Sequence, residues 1–132
     1  MIFAGVYATF ISLVYFAQLT TVRLESLSEE TRMILDYQAF GLFFALNLLG
    51  YGMMALSTFF AGITIAIQSK TDKALKFLLM LHGIFAVSGL LIPMLNIFAT
   101  IDGGYWIGTL VLMVWCAYFA PVGILTLKYL KK

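Results

Sequence analysis

Four long stretches of the chain, residues 2–22, 39–67, 77–101 and 105–127, contain no Asp, Glu, Lys or Arg. An apolar helix needs about 20 residues to cross a hydrocarbon layer about 30 Å thick. Inside that layer the backbone must satisfy its own hydrogen bonds, which leaves helices or closed barrels. None of the stretches alternates with the period of two that a barrel strand requires. The sequence therefore predicts four transmembrane helices in a single all-α domain that spans residues 1–132.

The composition supports lipid, and not water, as the main solvent of this chain. Charged residues make up 11% of the sequence and the mean hydropathy is +1.03. A soluble domain is about 25% charged, so this chain has too few charges to cover a water-exposed surface. The net charge of +2 is too small to indicate nucleic acid as a partner. A single cysteine, Cys116, excludes an internal disulfide.

The connections between the stretches carry helix-start signals. Residues 23–36 form a short amphipathic segment in which Ser28 can cap a helix that begins with Glu29 and Glu30. The sequence from Ser69 to Asp72 fits a capping box, and Asp102 can cap the last helix. Short connections place consecutive helices side by side. We therefore expect an antiparallel four-helix bundle.

The basic residues predict the orientation of this bundle. Six of the eight lie in the second connection or at the C-terminus, and four helices place these two regions on the same side of the membrane. They are Lys70, Lys73, Lys76, Lys128, Lys131 and Lys132. Because cytoplasmic loops are enriched in Lys and Arg, both termini are expected to be cytoplasmic. The expected location is the cytoplasmic membrane of a bacterium or an archaeon.

The absence of charge within the four stretches argues against ion-driven transport, which usually relies on intramembrane carboxylates. The neutral polar residues Gln18, Asn47, Tyr51 and Asn96 all fall in the half of the bundle predicted to be outer. One interpretation is a ligand-binding pocket that opens outward, with Trp115 at the apolar end of the ligand. The alternative is that these side chains only form hydrogen bonds between helices.

His82 is the single histidine of the chain, and it lies within the third stretch. A neutral imidazole there could exchange a proton with a substrate, and Tyr118 lies at a comparable depth in the fourth stretch. These two residues are weak candidates for catalysis. No second His, Cys or carboxylate stands at ligand spacing from His82, so neither a metal site nor a cofactor is expected.

These patterns favour a non-catalytic binding or accessory protein. Two alternatives stay open: a carrier or binder of a neutral or lipidic molecule, and a membrane-embedded enzyme that acts on a lipid. The expected partners are membrane lipids, with a membrane-protein partner or a second copy of the chain left open. Small multidrug transporters, thiol oxidases and haem-binding subunits each require residues that the four stretches lack, and no family resemblance follows from the sequence.

Overall fold

The protein is an all-α membrane-type bundle. The computed structural model describes residues 1–95, 97 and 104–131, with only the backbone described at 104, 105 and 107. Its helices are α1 (Ile2–Leu19), α2 (Glu29–Leu35), α3 (Leu42–Thr64), α4 (Lys70–His82), α5 (Ile84–Met94) and α6 (Gly104–Leu130), with short 3-10 turns at Thr21–Arg23 and Tyr37–Ala39. The described residues contain no strand. Four helical segments are long and apolar enough to cross a membrane, and α4 and α5 together form the third. The predicted fold class is confirmed.

The third span begins at Lys70, although the charge-free stretch begins at residue 77. The Ser69 side chain accepts a hydrogen bond from the backbone N–H of Asp72 at 3.2 Å, as the capping motif predicts. A cap starts a helix wherever an oxygen can satisfy the first N–H groups, whether or not apolar residues follow at once. The predicted end of this span at residue 101, and the turn at Asp102, lie outside the described residues.

The connector after the first span is helical where the sequence predicts it. Ser28 precedes α2 in an extended conformation, and its hydroxyl oxygen accepts a hydrogen bond from the Thr31 N–H at 3.3 Å. Glu29 and Glu30 form the first turn, where their charge favours the positive end of the helix. The predicted cap is confirmed.

Helix α3 lies at the centre of the packing: α1 contacts it, α4 and α5 also pack against it, and α6 packs against α4. The backbones of α3 and α5 approach closely at Gly52 and Gly89. A Cβ atom on Gly89 would lie 2.8 Å from the Leu48 carbonyl oxygen and 3.1 Å from the Gly52 Cα. Glycine at this crossing therefore allows the two backbones to touch, as small residues do in membrane helix pairs.

The turn between α3 and α4 lies next to the end of α6. The backbone N–H of Ala66 donates to the Tyr129 hydroxyl at 3.4 Å. The Lys76 ammonium donates to the carbonyl oxygens of Ile63 and Ile65 at 3.1 and 3.3 Å, where α3 ends. A cation in this position satisfies helix-terminal carbonyls and favours the negative end of the helix. The basic turn and the basic C-terminal helix end therefore lie at the same end of the bundle.

This arrangement makes the membrane orientation testable. We expect green fluorescent protein fused after Lys132 to fluoresce in bacterial cells, and alkaline phosphatase fused there to be inactive, because lysine-rich ends stay in the cytoplasm. Fusions after Leu27, in the connector before α2, should give the opposite pattern. An active phosphatase at the C-terminus would contradict the predicted orientation.

The glycine crossing predicts that Gly89→Ala destabilises the bundle. The added methyl group meets backbone atoms of α3 that cannot rotate away, and such overpacking costs about 1–3 kcal/mol. Thermal unfolding in detergent, followed by circular dichroism, measures the effect.

Gly123→Ala is the matched control, since a Cβ at Gly123 meets nothing within 4 Å. It should leave the unfolding temperature unchanged or raise it slightly, because alanine has the higher helix propensity. Equal losses for the two variants would refute the crossing as a source of stability.

Candidate functional site

A crevice of about 210 Å³ lies where the junction of α4 and α5 faces residues 110–118 of α6. Its lining consists of aromatic and aliphatic side chains and one imidazole. The lining residues are His82, Phe85, Leu110, Val111, Val114, Trp115 and Tyr118. Leu110, Val111 and Val114 are 51%, 42% and 61% exposed, so this wall of the crevice reaches the surface that lipid chains cover. His82, by contrast, is only 1% exposed.

His82 is held by a hydrogen bond to α3. Its Nδ1 lies 2.6 Å from the Thr58 hydroxyl oxygen. The same hydroxyl lies 2.9 Å from the Ala55 carbonyl and 3.2 Å from the Met54 carbonyl, both in the preceding turn of its own helix. A buried imidazole needs such a partner, because an unpaired polar group in an apolar surrounding is costly.

Two ring nitrogens at the crevice have no hydrogen-bond partner among the described residues. They are Nε2 of His82 and Nε1 of Trp115, and both are buried. The centroids of the two rings are 5.2 Å apart, and the rings meet edge to face. Native proteins pair the large majority of their buried polar atoms, so these two unpaired nitrogens are exceptions within the packed layer of side chains that lines the crevice.

Aromatic rings surround the imidazole on its other sides. The ring centroids of Phe85, Tyr118 and Phe119 lie 5.4, 5.8 and 4.9 Å from that of His82. The Tyr118 hydroxyl donates to the Leu78 carbonyl oxygen of α4. This hydrogen bond connects α6 to α4. The Tyr118 ring contributes packing surface.

Gly83 explains why the histidine lies at this position. At the junction of α4 and α5 the bonds from Gly83 N to Met80 O and from Ala86 N to Gly83 O span only three residues, which tightens the chain locally. A Cβ at Gly83 would lie 2.7 Å from the Phe59 ring of α3. Glycine therefore brings this junction against α3, within reach of Thr58.

Gln18 does not line the crevice. Its side-chain amide donates to the Leu35 carbonyl at 2.7 Å, and its side-chain oxygen accepts from the Tyr37 N–H at 3.0 Å. It therefore ties the connector to the end of α1. Burial, with a smaller contribution from the Tyr15 phenol, raises the pKa of Tyr37, so that phenol is neutral at physiological pH.

The other predicted pocket residues divide between the crevice and the packing around it. The Tyr51 ring contacts the Trp115 ring at 5.1 Å, and the Tyr51 hydroxyl lies 3.5 Å from that of Tyr15. Asn47 is 3% exposed, and its side-chain oxygen has no partner within the described part of the chain, but it does not line the crevice. Asn96 lies outside the described residues. The structure thus brings together Trp115, His82 and Tyr118, with Tyr51 behind Trp115.

Sequence reasoning missed the pairing of Thr58 with His82. Helix α3 carries four hydroxyl side chains that are possible partners of Nδ1, at Tyr51, Ser57, Thr58 and Thr64. Choosing among them requires the register of the hairpin, which depends on where α4 begins. If the third span is taken to begin at the Ser69 cap, and not at residue 77, His82 lies further from the turn between α3 and α4.

No family model matches this chain, and neither a curated protein nor a solved structure matches it. The chemistry of the site therefore rests on its own residues. The crevice lining contains neither a carboxylate nor a thiol, and the described residues contain no group of three His, Cys, Asp or Glu that could hold a metal ion. What the lining offers to a ligand is apolar surface.

The hydrogen bond between α3 and α4 predicts that Thr58→Val lowers stability. Valine has nearly the same shape but leaves Nδ1 of the buried imidazole unpaired, at a cost of about 1–3 kcal/mol. Thermal unfolding in detergent measures the change.

Thr64→Val provides the comparison, since the Thr64 hydroxyl donates to the Ala61 carbonyl of its own helix and to no other helix within the described part of the chain. We expect the unfolding temperature of this variant to stay close to that of the original chain. If Thr58→Val proves no more damaging than Thr64→Val, the His82 contact contributes nothing to stability.

Proposed function

We propose that this chain is a non-catalytic integral membrane protein that binds the hydrocarbon part of a lipidic molecule in the crevice between α5 and α6. The observation that carries the proposal is an aromatic and aliphatic crevice of about 210 Å³ whose outer wall is exposed on the lipid-facing surface. An apolar cavity of about 150 Å³ already accommodates benzene. The crevice therefore has room for a flat ring or a segment of an acyl chain.

The position of the crevice determines how a ligand would arrive. The exposed residues Leu110, Val111 and Val114 belong to α6, a helix of apolar residues long enough to span the membrane. A ligand would enter sideways from the bilayer and would not need to pass through water. This entry route favours a molecule that is dissolved in the membrane. The cytoplasmic membrane of a bacterium or archaeon is the location that we propose.

The enzymatic alternative has weaker support. An acid–base mechanism at His82 needs a second group to orient the substrate or exchange the proton. Tyr118 is the nearest candidate, but its hydroxyl already donates to the Leu78 carbonyl. The seven lining residues offer no other acid, base or nucleophile. Binding without chemistry is therefore the function that we propose.

Trp115 provides an internal probe of this proposal, because the chain has only one other tryptophan, Trp106. In a Trp106→Phe background, Trp115 fluorescence should be strongly quenched in vesicles of phosphatidylcholine brominated on its acyl chains. Leu110→Phe should reduce the quenching at least twofold, because a larger ring at the wall fills the crevice and keeps the chain away.

Leu112→Phe is the matched control: Leu112 is 52% exposed, against 51% for Leu110, but it does not line the crevice. In this variant, made in the same Trp106→Phe background, the quenching of Trp115 should equal that of the background alone. Identical quenching in all three proteins would contradict the proposed site.

A further inference from the structure

One end of the bundle gathers lysines from two different helices. The hydrogen bond from the Ala66 N–H to the Tyr129 hydroxyl joins the turn before α4 to the last turns of α6. Leu75 of α4 and Val122 of α6 lie in one buried cluster, and Tyr129 packs against it. The lysines at the start of α4 and at the end of α6 therefore belong to one surface. We call it the lysine face, and it consists of Lys70, Lys73, Lys128 and Lys131.

The lysine face presents positive charge that the described residues do not neutralise. All four of its side chains are exposed, and none of their ammonium groups forms an ion pair within the described part of the chain. Lys76 differs, because its ammonium donates to the carbonyls at the end of α3. Asp72, the carboxylate of this turn, is buried and accepts a hydrogen bond from the Gln68 N–H. The face therefore has no exposed carboxylate beside it among the described residues.

The connector between α1 and α3 has the opposite electrostatic character. It carries four carboxylates and two arginines. One of these arginines, Arg32, lies 4.0 Å from the Asp36 carboxylate. Acidic residues thus outnumber basic ones in the connector, and the unneutralised positive charge of the described residues is concentrated at the lysine face. A partner attracted by that charge must be an anion.

The surroundings of the lysines indicate which kind of anion fits. On a helix, residues four positions apart lie on the same face. Three of the lysines have a large, exposed apolar side chain at this spacing, on the side toward the middle of the span. The pairs are Lys73 with Phe77, Lys128 with Ile124, and Lys131 with Leu127. Each pair combines an ammonium group with apolar surface, the combination that a phospholipid headgroup and its acyl chain would contact together.

We propose that the lysine face binds anionic glycerophospholipids, whose phosphates pair with the exposed ammonium groups while their acyl chains lie along Phe77, Ile124 and Leu127. Each lysine close to an anionic membrane surface contributes about fivefold in affinity. An acidic protein or a nucleic acid in water would meet the ammonium groups but would gain nothing from the apolar side chains within the spans. This inference goes beyond the proposed function, and it uses none of the residues that line the crevice.

Native mass spectrometry can test the proposal with two lipids that have the same acyl chains. The purified protein in dodecyl maltoside is titrated with dioleoyl phosphatidylglycerol, which is anionic, or with dioleoyl phosphatidylcholine, which is zwitterionic. Phosphatidylglycerol should bind at least about fivefold more tightly, the contribution of one or more lysines. Raising the concentration of ammonium acetate should reduce this preference, because salt screens exposed charges.

Charge variants assign the preference to the lysine face. The pair Lys70→Gln and Lys73→Gln should lower the affinity for phosphatidylglycerol at least about fivefold, and so should the pair Lys128→Gln and Lys131→Gln. The same pairs changed to Arg keep the charge and should keep the affinity. None of these variants should alter the affinity for phosphatidylcholine.

Two control variants lie elsewhere in the chain. Arg23→Gln removes a positive charge from the connector, where carboxylates outnumber arginines, and should leave the preference for phosphatidylglycerol unchanged. Leu110→Phe changes the crevice wall and should also leave it unchanged. This second control separates the two proposals, because a lipid preference that depends on the lysines alone would persist even if the crevice bound nothing.

Several results would overturn the assignment of the lysine face to anionic lipids. One is equal affinity for the two lipids, and another is a preference that neither pair of Gln variants lowers. A loss in Arg23→Gln as large as that in the Gln pairs would show that net charge, and not this face, determines binding. Displacement of phosphatidylglycerol by poly-glutamate at an equal concentration of charge would assign the face to an acidic protein instead.

Discussion

The close contact of α5 with α3 is the constraint on which the rest of the bundle depends. Gly52 and Gly89 let the two backbones touch, and Gly83 lets the junction of α4 and α5 lie against Phe59. Within a bilayer, burial of apolar side chains stabilises helix contacts little, so close packing and interhelical hydrogen bonds must hold the helices together. The glycine contacts provide the first of these. They also bring His82 to Thr58, which provides the second.

Several hydroxyl groups within the spans form hydrogen bonds inside their own helices. The hydroxyls of Thr9, Ser88 and Thr126 donate to carbonyls in the preceding turn of their own helices. Because both partners belong to one helix, these bonds do not connect helices to each other. The buried side-chain atoms left without a partner in the described part of the chain are three, and two of them belong to residues of one crevice. Both nitrogens are therefore part of the packed layer that forms the wall of the crevice.

The fold could be predicted because its determinants are local. Each determinant is a property of consecutive residues: the charge-free stretches, the cap at Ser28 and the cap at Ser69. The structure has a helix in each stretch and after each cap. The site was less accessible. His82, Tyr118 and Trp115 were identified as chemically unusual side chains in an apolar sequence, but the sequence grouped Trp115 with Gln18 and Asn47. Gln18 instead fastens the connector to α1, because the end of the helix brings it next to exposed backbone groups of residues 35–37.

The sequence by itself determined that this chain forms four apolar helices and that its lysine-rich turn and lysine-rich end face the same side. Hydrocarbon length and backbone hydrogen bonding impose these properties on any chain with this pattern. Only the tertiary structure decided which polar atoms would find partners. Whether His82 meets Thr58 or Thr64, and whether Trp115 faces His82 or lipid, depends on the register and rotation of the spanning helices. Their charge-free lengths carry no charged face to orient them, so their contacts are set by the positions of small residues and become visible only in three dimensions.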